Sequence, residues 1–168
     1  GGKLAYTIEE SRYWILSRAV LLNLPEHGHM NPTYPMAAEL VRRGDHLVYF
    51  STDPFQNLVE AAGAKFHRIG PGELFAPPAH VGGLYSVMAY SISVAQKLLA
   101  DVLEAIRKHN PDYLLIDAMC IWGRLAQQIL GIPCVTLAPT FCTNPRLQNA
   151  ADMVAIAYGR APKSVLLN

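Results

Sequence analysis

The chain has 168 residues, 51% hydrophobic and 16% charged, enough for one ordinary domain with a sizeable core and too little for two. That balance excludes a disordered tail. Fourteen Lys and Arg against thirteen Asp and Glu leave a net charge of +1, which argues against nucleic-acid binding by phosphate neutralisation. No apolar run approaches the roughly 18–20 residues that span a bilayer, so no transmembrane segment is expected. The three cysteines (Cys120, Cys134, Cys142) are odd in number and widely spaced. They fit neither a disulfide scaffold nor a CxxC site, and reduced, small buried thiols in a cytoplasmic protein are the expectation.

Residues 1–18 begin Gly1-Gly2 and lack the hydrophobic stretch and cleavage site of a signal peptide. They read as an N-terminal extension or an appended remnant, with one domain over 19–168. Ala19 to Leu24 is a continuous apolar run of buried-strand length. Asn31-Pro32 has the form of a cap followed by a helix-opening proline. Met36, Ala37, Leu40 and Val41 then share a helical face up to Arg43, and Gly44 closes it. His46 to Phe50 is the second predicted strand. Thr52-Asp53-Pro54 opens a short helix ended by Gly63, and Lys65 to Ile69 is the third strand.

Gly70 to Gly83 holds four glycines and three prolines and is predicted as loop. An amphipathic helix follows over about Leu84–His109 and stops at Asn110-Pro111. Tyr113 to Ile116 is the fourth strand, Cys120 to Leu130 a helix closed by Gly131, and Pro133 to Leu137 the fifth strand. Beyond Pro139 come a loop, a helix near Leu147–Ala157 and an unassigned tail. Strands alternating with helices at this spacing give an α/β fold, a parallel sheet with helices on both faces. In the commonest doubly wound order, strands one and four lie side by side where the winding reverses, and ligands bind there at the carboxyl ends of the strands.

After strand one comes Pro25-Glu26-His27-Gly28-His29, and after strand four comes Asp117. An imidazole and a carboxylate therefore converge on the expected crevice. Histidine accepts a proton near neutral pH, and a carboxylate on its other ring nitrogen would fix the tautomer and stabilise the imidazolium. Two plainer roles stay open: His29 capping the helix beside it, and Asp117 capping the helix that begins at Cys120. His27 and His29 find no further ligand at a spacing that closes a metal site, so none is expected. The other histidines, His46, His67, His80 and His109, read as surface or loop residues. No GxGxxG follows strand one, and no P-loop or GxSxG elbow occurs in the chain.

Leu22-Asn-Leu-Pro-Glu-His-Gly-His-Met-Asn-Pro-Thr33, continuing through Ala38-Glu-Leu-Val-Arg-Arg-Gly44, resembles the opening of the UDP-glycosyltransferase superfamily, most of all its bacterial macrolide-type members. Phe55 to Phe66, Pro111 to Asp117 and Leu130 to Thr136 resemble later parts of the same domain, so the likeness runs over about residues 19–142. The Gly-His-x-Asn-Pro element before an amphipathic helix and Arg-Gly is its most specific feature.

The resemblance implies the Rossmann-like N-terminal, acceptor-binding domain of a GT-B fold. His29 then matches the catalytic base and Asp117 its carboxylate partner. The implied reaction is inverting transfer of a sugar from a UDP-sugar to a hydroxyl of a small lipophilic acceptor, with no metal or other cofactor. UDP-sugar would be a co-substrate held mainly by a C-terminal domain in the same or a separate chain. No segment resembling that domain is present here, so the chain alone is expected to be inactive. Leu74, Phe75, Tyr85 and Met88 would line an apolar acceptor pocket, with Trp122 and Phe141 approaching from the far side. Tyr85, Met88 and Trp122 read equally as core residues; Phe75 has the better claim to the pocket, because a loop rich in Gly and Pro rarely builds core. A different reading also stands at this point: a non-catalytic half-domain that binds a hydrophobic ligand or docks on a separate nucleotide-binding chain.

Overall fold

A computed structural model of the protein describes residues 16–78 and 84–139, the side chains of Leu84, Tyr85, Val87 and Met88 excepted. The helix expected near Leu147–Ala157, the tail, Phe141, Cys142, His80 and residues 1–15 lie outside the described residues. Five strands, β1 (Arg18–Leu22), β2 (His46–Ser51), β3 (Lys65–Arg68), β4 (Tyr113–Asp117) and β5 (Cys134–Leu137), form one sheet in the order β3-β2-β1-β4-β5. Every pairing is parallel, and Leu22 at the end of β1 is in register with Ile116 of β4. The expected order is thus realised, with β1 and β4 adjacent at the reversal of winding.

The apolar run of β1 makes sense in this position. Ala19, Val20, Leu21 and Leu22 are all essentially inaccessible because the central strand is covered on both faces. The helices are α1 (His27–Met30), α2 (Tyr34–Arg42), α3 (Gln56–Ala61), α4 (Leu84–His109) and α5 (Ile121–Leu130). On one face Val20, Leu22, Phe50, Leu114 and Ile116 pack with Leu98, Val102 and Ile106 of α4 and Trp122 of α5. On the other, Leu21, Tyr49 and Leu115 pack with Met30, Ala37 of α2, Phe55 and Val59 of α3. β1 starts at Arg18, whose guanidinium pairs with Asp112 at 3.0 Å, so the division expected after residue 18 falls inside the strand.

Two expectations are corrected. Asn31 does not cap a helix. The helical path begins earlier, after the extended Glu26, and Asn31 sits inside it at φ −55 and ψ −44 with its N–H donating to the His27 carbonyl. Pro32 has no N–H to continue an α ladder, so a 3₁₀ turn over Asn31–Thr33 carries the chain into α2. The segment after β3 is not all loop either: Gly72–Phe75 forms a 3₁₀ turn that buries Phe75 to 7% exposure against Trp122, ring centroids 5.4 Å apart. The Tyr90 hydroxyl, 3.0 and 3.1 Å from the carbonyls of Leu74 and Ala76, ties that turn to α4. A Gly- and Pro-rich stretch therefore does supply core here, because α4 anchors it.

His67 and His109 are partly buried rather than surface residues. His109 Nε2 lies 3.2 Å from His67 Nδ1, and the His67 ring stacks on Phe50 at 4.3 Å. Burial, with the charges of Lys65 and Lys108, pushes both imidazoles below their ordinary value of 6.5. The unfolded chain therefore binds protons first as the solution is acidified. The stability from this pair is fully present above about pH 6.5 and is lost as pH falls through the folded values. His109→Gln should make the decline in urea midpoint between neutral pH and about pH 5 shallower than in the wild type; an unchanged slope would remove the pair from that account.

α5 lies close over the sheet at Gly123. A Cβ there would meet Cys120 Sγ and Ile116 Cγ2 at 3.0 Å and Leu22 Cβ at 3.1 Å. Gly123→Ala is expected to cost about 1–3 kcal/mol in urea denaturation. Gly72→Ala, where a Cβ meets nothing within 4 Å, is the matched control and should stay within about 0.5 kcal/mol.

Candidate active site

β1 and β4 end side by side, and the two candidate side chains, His29 and Asp117, meet there. Past β1, Pro25 and Glu26 turn the chain directly into α1, which places His29 in a single helical turn over the sheet edge. Asp117 is the last residue of β4. His29 Nδ1 and Asp117 Oδ2 lie 2.8 Å apart, with the imidazole 12% and the carboxylate 0% exposed. The other oxygen, Oδ1, accepts the Met119 N–H at 2.6 Å, and the Asp117 carbonyl accepts the Cys120 N–H at 2.9 Å. Neither capping role left open in the sequence is filled: no side chain caps α1, and α5 has Cys120 as its N-cap with no side-chain cap bond. One Asp117 oxygen steadies the turn into α5, and the other faces the histidine.

An ionised carboxylate can only accept, so the proton in this hydrogen bond belongs to His29 Nδ1. In the neutral ring Nε2 is then the nitrogen with a free lone pair, which is the form a general base requires. Residues two apart on a helix point to roughly opposite sides. His27 accordingly packs edge-on against Phe55, ring centroids 5.0 Å apart, and does not share a face with His29. Among the described residues no cluster of three or more His, Cys, Asp or Glu could hold a metal ion.

Beneath the turn lies a buried polar group that sequence reasoning missed. Asn23 Nδ2 is 3.0 Å from the His29 carbonyl, 2.9 Å from the Tyr49 hydroxyl and 3.2 Å from Thr33 Oγ1. Thr33 Oγ1 donates to the Met30 carbonyl at 2.7 Å and lies 2.6 Å from the Tyr49 oxygen. Burial pushes the Tyr49 phenol up to about 12, so it stays protonated and able to donate. The available signal was Asn23 itself, a polar residue inside an apolar strand-like run.

Of the expected acceptor-lining residues, Trp122 and Phe75 are buried together on the α4 face of the sheet, which corrects the view of Phe75 as standing clear of the core. Leu74 borders a cavity of about 270 Å³ between β3 and α4 that is also lined by Phe50, His67, Lys97 and Leu98. Neither His29 nor Asp117 borders that cavity. The side chains of Tyr85 and Met88, and all of Phe141, lie outside the described residues. Cys120 is buried, which raises its thiol well above the ordinary range, and Cys134 is partly buried. Among the described residues no helix is long and apolar enough to cross a membrane.

The hydrogen bond to Asp117 has a direct spectroscopic consequence. Ring ¹⁵N shifts of the wild type should show neutral His29 in the Nδ1–H tautomer alone. Asp117→Ala should give a mixture of tautomers, and a single unchanged tautomer would mean that the carboxylate does not fix the ring.

No protein-family model matches the chain. It is 29% identical over 130 residues to the NDP-glycosyltransferase YjiC of Bacillus licheniformis, an alignment covering 74% of this chain and 33% of that protein. It is 28% identical over 122 residues to the oleandomycin glycosyltransferase of Streptomyces antibioticus, covering 71% of this chain and 28% of the relative. The fold is shared with the crystal structure of CalG4, the calicheamicin glycosyltransferase, at a TM-score of 0.71 and 24% identity, over 87% of this chain and 38% of that one. The chain thus spans about a third of the length of the curated relatives it matches. In sequence the chain is similar to bacterial NDP-glycosyltransferases, and its fold is that of the N-terminal part of GT-B glycosyltransferases.

Proposed function

We propose that this chain is the acceptor-binding, base-supplying half of an inverting glycosyltransferase that moves a sugar from a UDP-sugar to a hydroxyl of a small lipophilic molecule. The observation that carries the reading is the 2.8 Å contact between His29 Nδ1 and Asp117 Oδ2 at the carboxyl ends of adjacent strands. The glycosyltransferase relatives supply the reaction class. In this reading His29 Nε2 takes the proton of the acceptor hydroxyl as its oxygen bonds to the anomeric carbon. The bond from that carbon to the nucleoside diphosphate breaks on the opposite side, which inverts the centre. The proton ends on the imidazole, and the departing diphosphate carries away the electron pair. Asp117 holds the ring in place and offsets the imidazolium charge while Met119 N–H holds Asp117.

The nucleotide sugar in this proposal is gripped by a second domain, so transfer is measured in a protein that carries this chain together with its donor-binding domain. His29→Ala should lower kcat by about 10²–10⁴-fold or more, with UDP-sugar affinity retained. Asp117→Asn should also lose orders of magnitude, since a neutral amide cannot offset the imidazolium. Turnover near the wild-type level in His29→Ala would overturn the assignment. A wild type that binds a hydroxylated hydrophobic ligand but never glycosylates it would instead identify a non-catalytic binding half.

A further inference from the structure

We propose that Asn23, backed by the Thr33–Tyr49 hydroxyl pair, is a positioning residue that sets where the imidazole of His29 stands. The proposal rests on His29 being the base, as argued above, and adds the part of the fold that holds it there.

Catalytic placement needs both ends of a residue fixed. Asp117 fixes the ring of His29, but a ring on a mobile backbone can pivot about its hydrogen bond. The turn that carries it is poorly supported by its own ladder. α1 is four residues long, and Pro32 and Pro35 just beyond it contribute no N–H donors. Asn23 supplies a donor from below. Its Nδ2 reaches the carbonyl of His29 itself at 3.0 Å, and that carbonyl can only accept, which fixes the amide with nitrogen toward the turn.

The support continues inward. The Asn23 amide also reaches Tyr49 on β2, and Thr33 bridges Tyr49 to the carbonyl of Met30, the residue after the histidine. Asn23 and Tyr49 are fully buried, and Thr33 is 4% exposed. Buried polar groups in a low-dielectric setting hold geometry firmly when they are paired. Among the described residues the buried Asn23 Oδ1 atom has no partner, an unfavourable arrangement that a role confined to stability does not explain. A leucine at this position would match the neighbouring apolar residues of β1 and bury no amide oxygen of its own. What the asparagine contributes instead is a tie from the strand to the backbone of the base.

The test uses Asn23→Leu in the protein carrying this chain and its donor-binding domain. At saturating substrates kcat should fall by about 10–10²-fold, with KM for the UDP-sugar nearly unchanged. The His29 Nδ1–H proton resonance should shift or broaden while far-UV circular dichroism stays native. If Asn23→Leu does not fold, Tyr49→Phe removes a single oxygen from the same network, and it should show the same pattern with a smaller fall. A folded variant with wild-type kcat and an unmoved His29 resonance overturns the proposal. If the wild type transfers no sugar but the resonance still moves in Asn23→Leu, the tie between Asn23 and His29 stands and the glycosyltransferase reading falls.

Discussion

The join between β1 and β4 governs what this molecule can do. Parallel strands that neighbour each other at a reversal of winding send their following segments in opposite directions, which opens a gap at their shared end. Here that gap holds a carboxylate from one strand and an imidazole from the segment after the other, 2.8 Å apart. Residues 88 positions apart in sequence meet because Leu22 and Ile116 pair in register just before them. A two-residue slip of that pairing would carry the acid about 7 Å along the strand, beyond reach of the ring. The apolar packing of β1 on both faces holds that register, and with it the contact between the two side chains.

Around that contact the polar groups divide their tasks. Asp117 uses one oxygen for its own turn and one for the histidine. Asn23, Thr33 and Tyr49 attend to the backbone below. Among the described residues the buried side-chain atoms left without partners are the Asn23 oxygen, the Tyr34 hydroxyl and the Trp122 indole N–H. An unmet buried group costs about 1–3 kcal/mol, so such atoms persist in proteins where something other than stability is served.

Much of the fold was legible because its signals are local. Apolar runs of strand length separated by amphipathic stretches gave the five strands, and right-handed crossovers gave their order. That order brings His29 and Asp117 to one crevice, but which of their open roles they fill shows only in the structure. The roles of Asn23 and Tyr49 do not follow from it, since a polar side chain in a strand shows its partners only after the strands are paired. Asn31 misled for a related reason: Asn-Pro has the form of a helix start, yet Glu26 already sits extended at that start and the prolines only tighten the path. Phe75 was obscured by composition, because glycines and prolines say nothing about a tyrosine fifteen residues later that pins their loop.

The sheet also acts as a partition. Met30 and Tyr49, beneath the His29 turn, occupy the side covered by α2 and α3, whereas the cavity beside α4, the Phe75–Trp122 contact and the paired histidines occupy the reverse. The cavity between β3 and α4 is lined by neither member of the His29–Asp117 pair, so its lining can change without altering a direct contact of either.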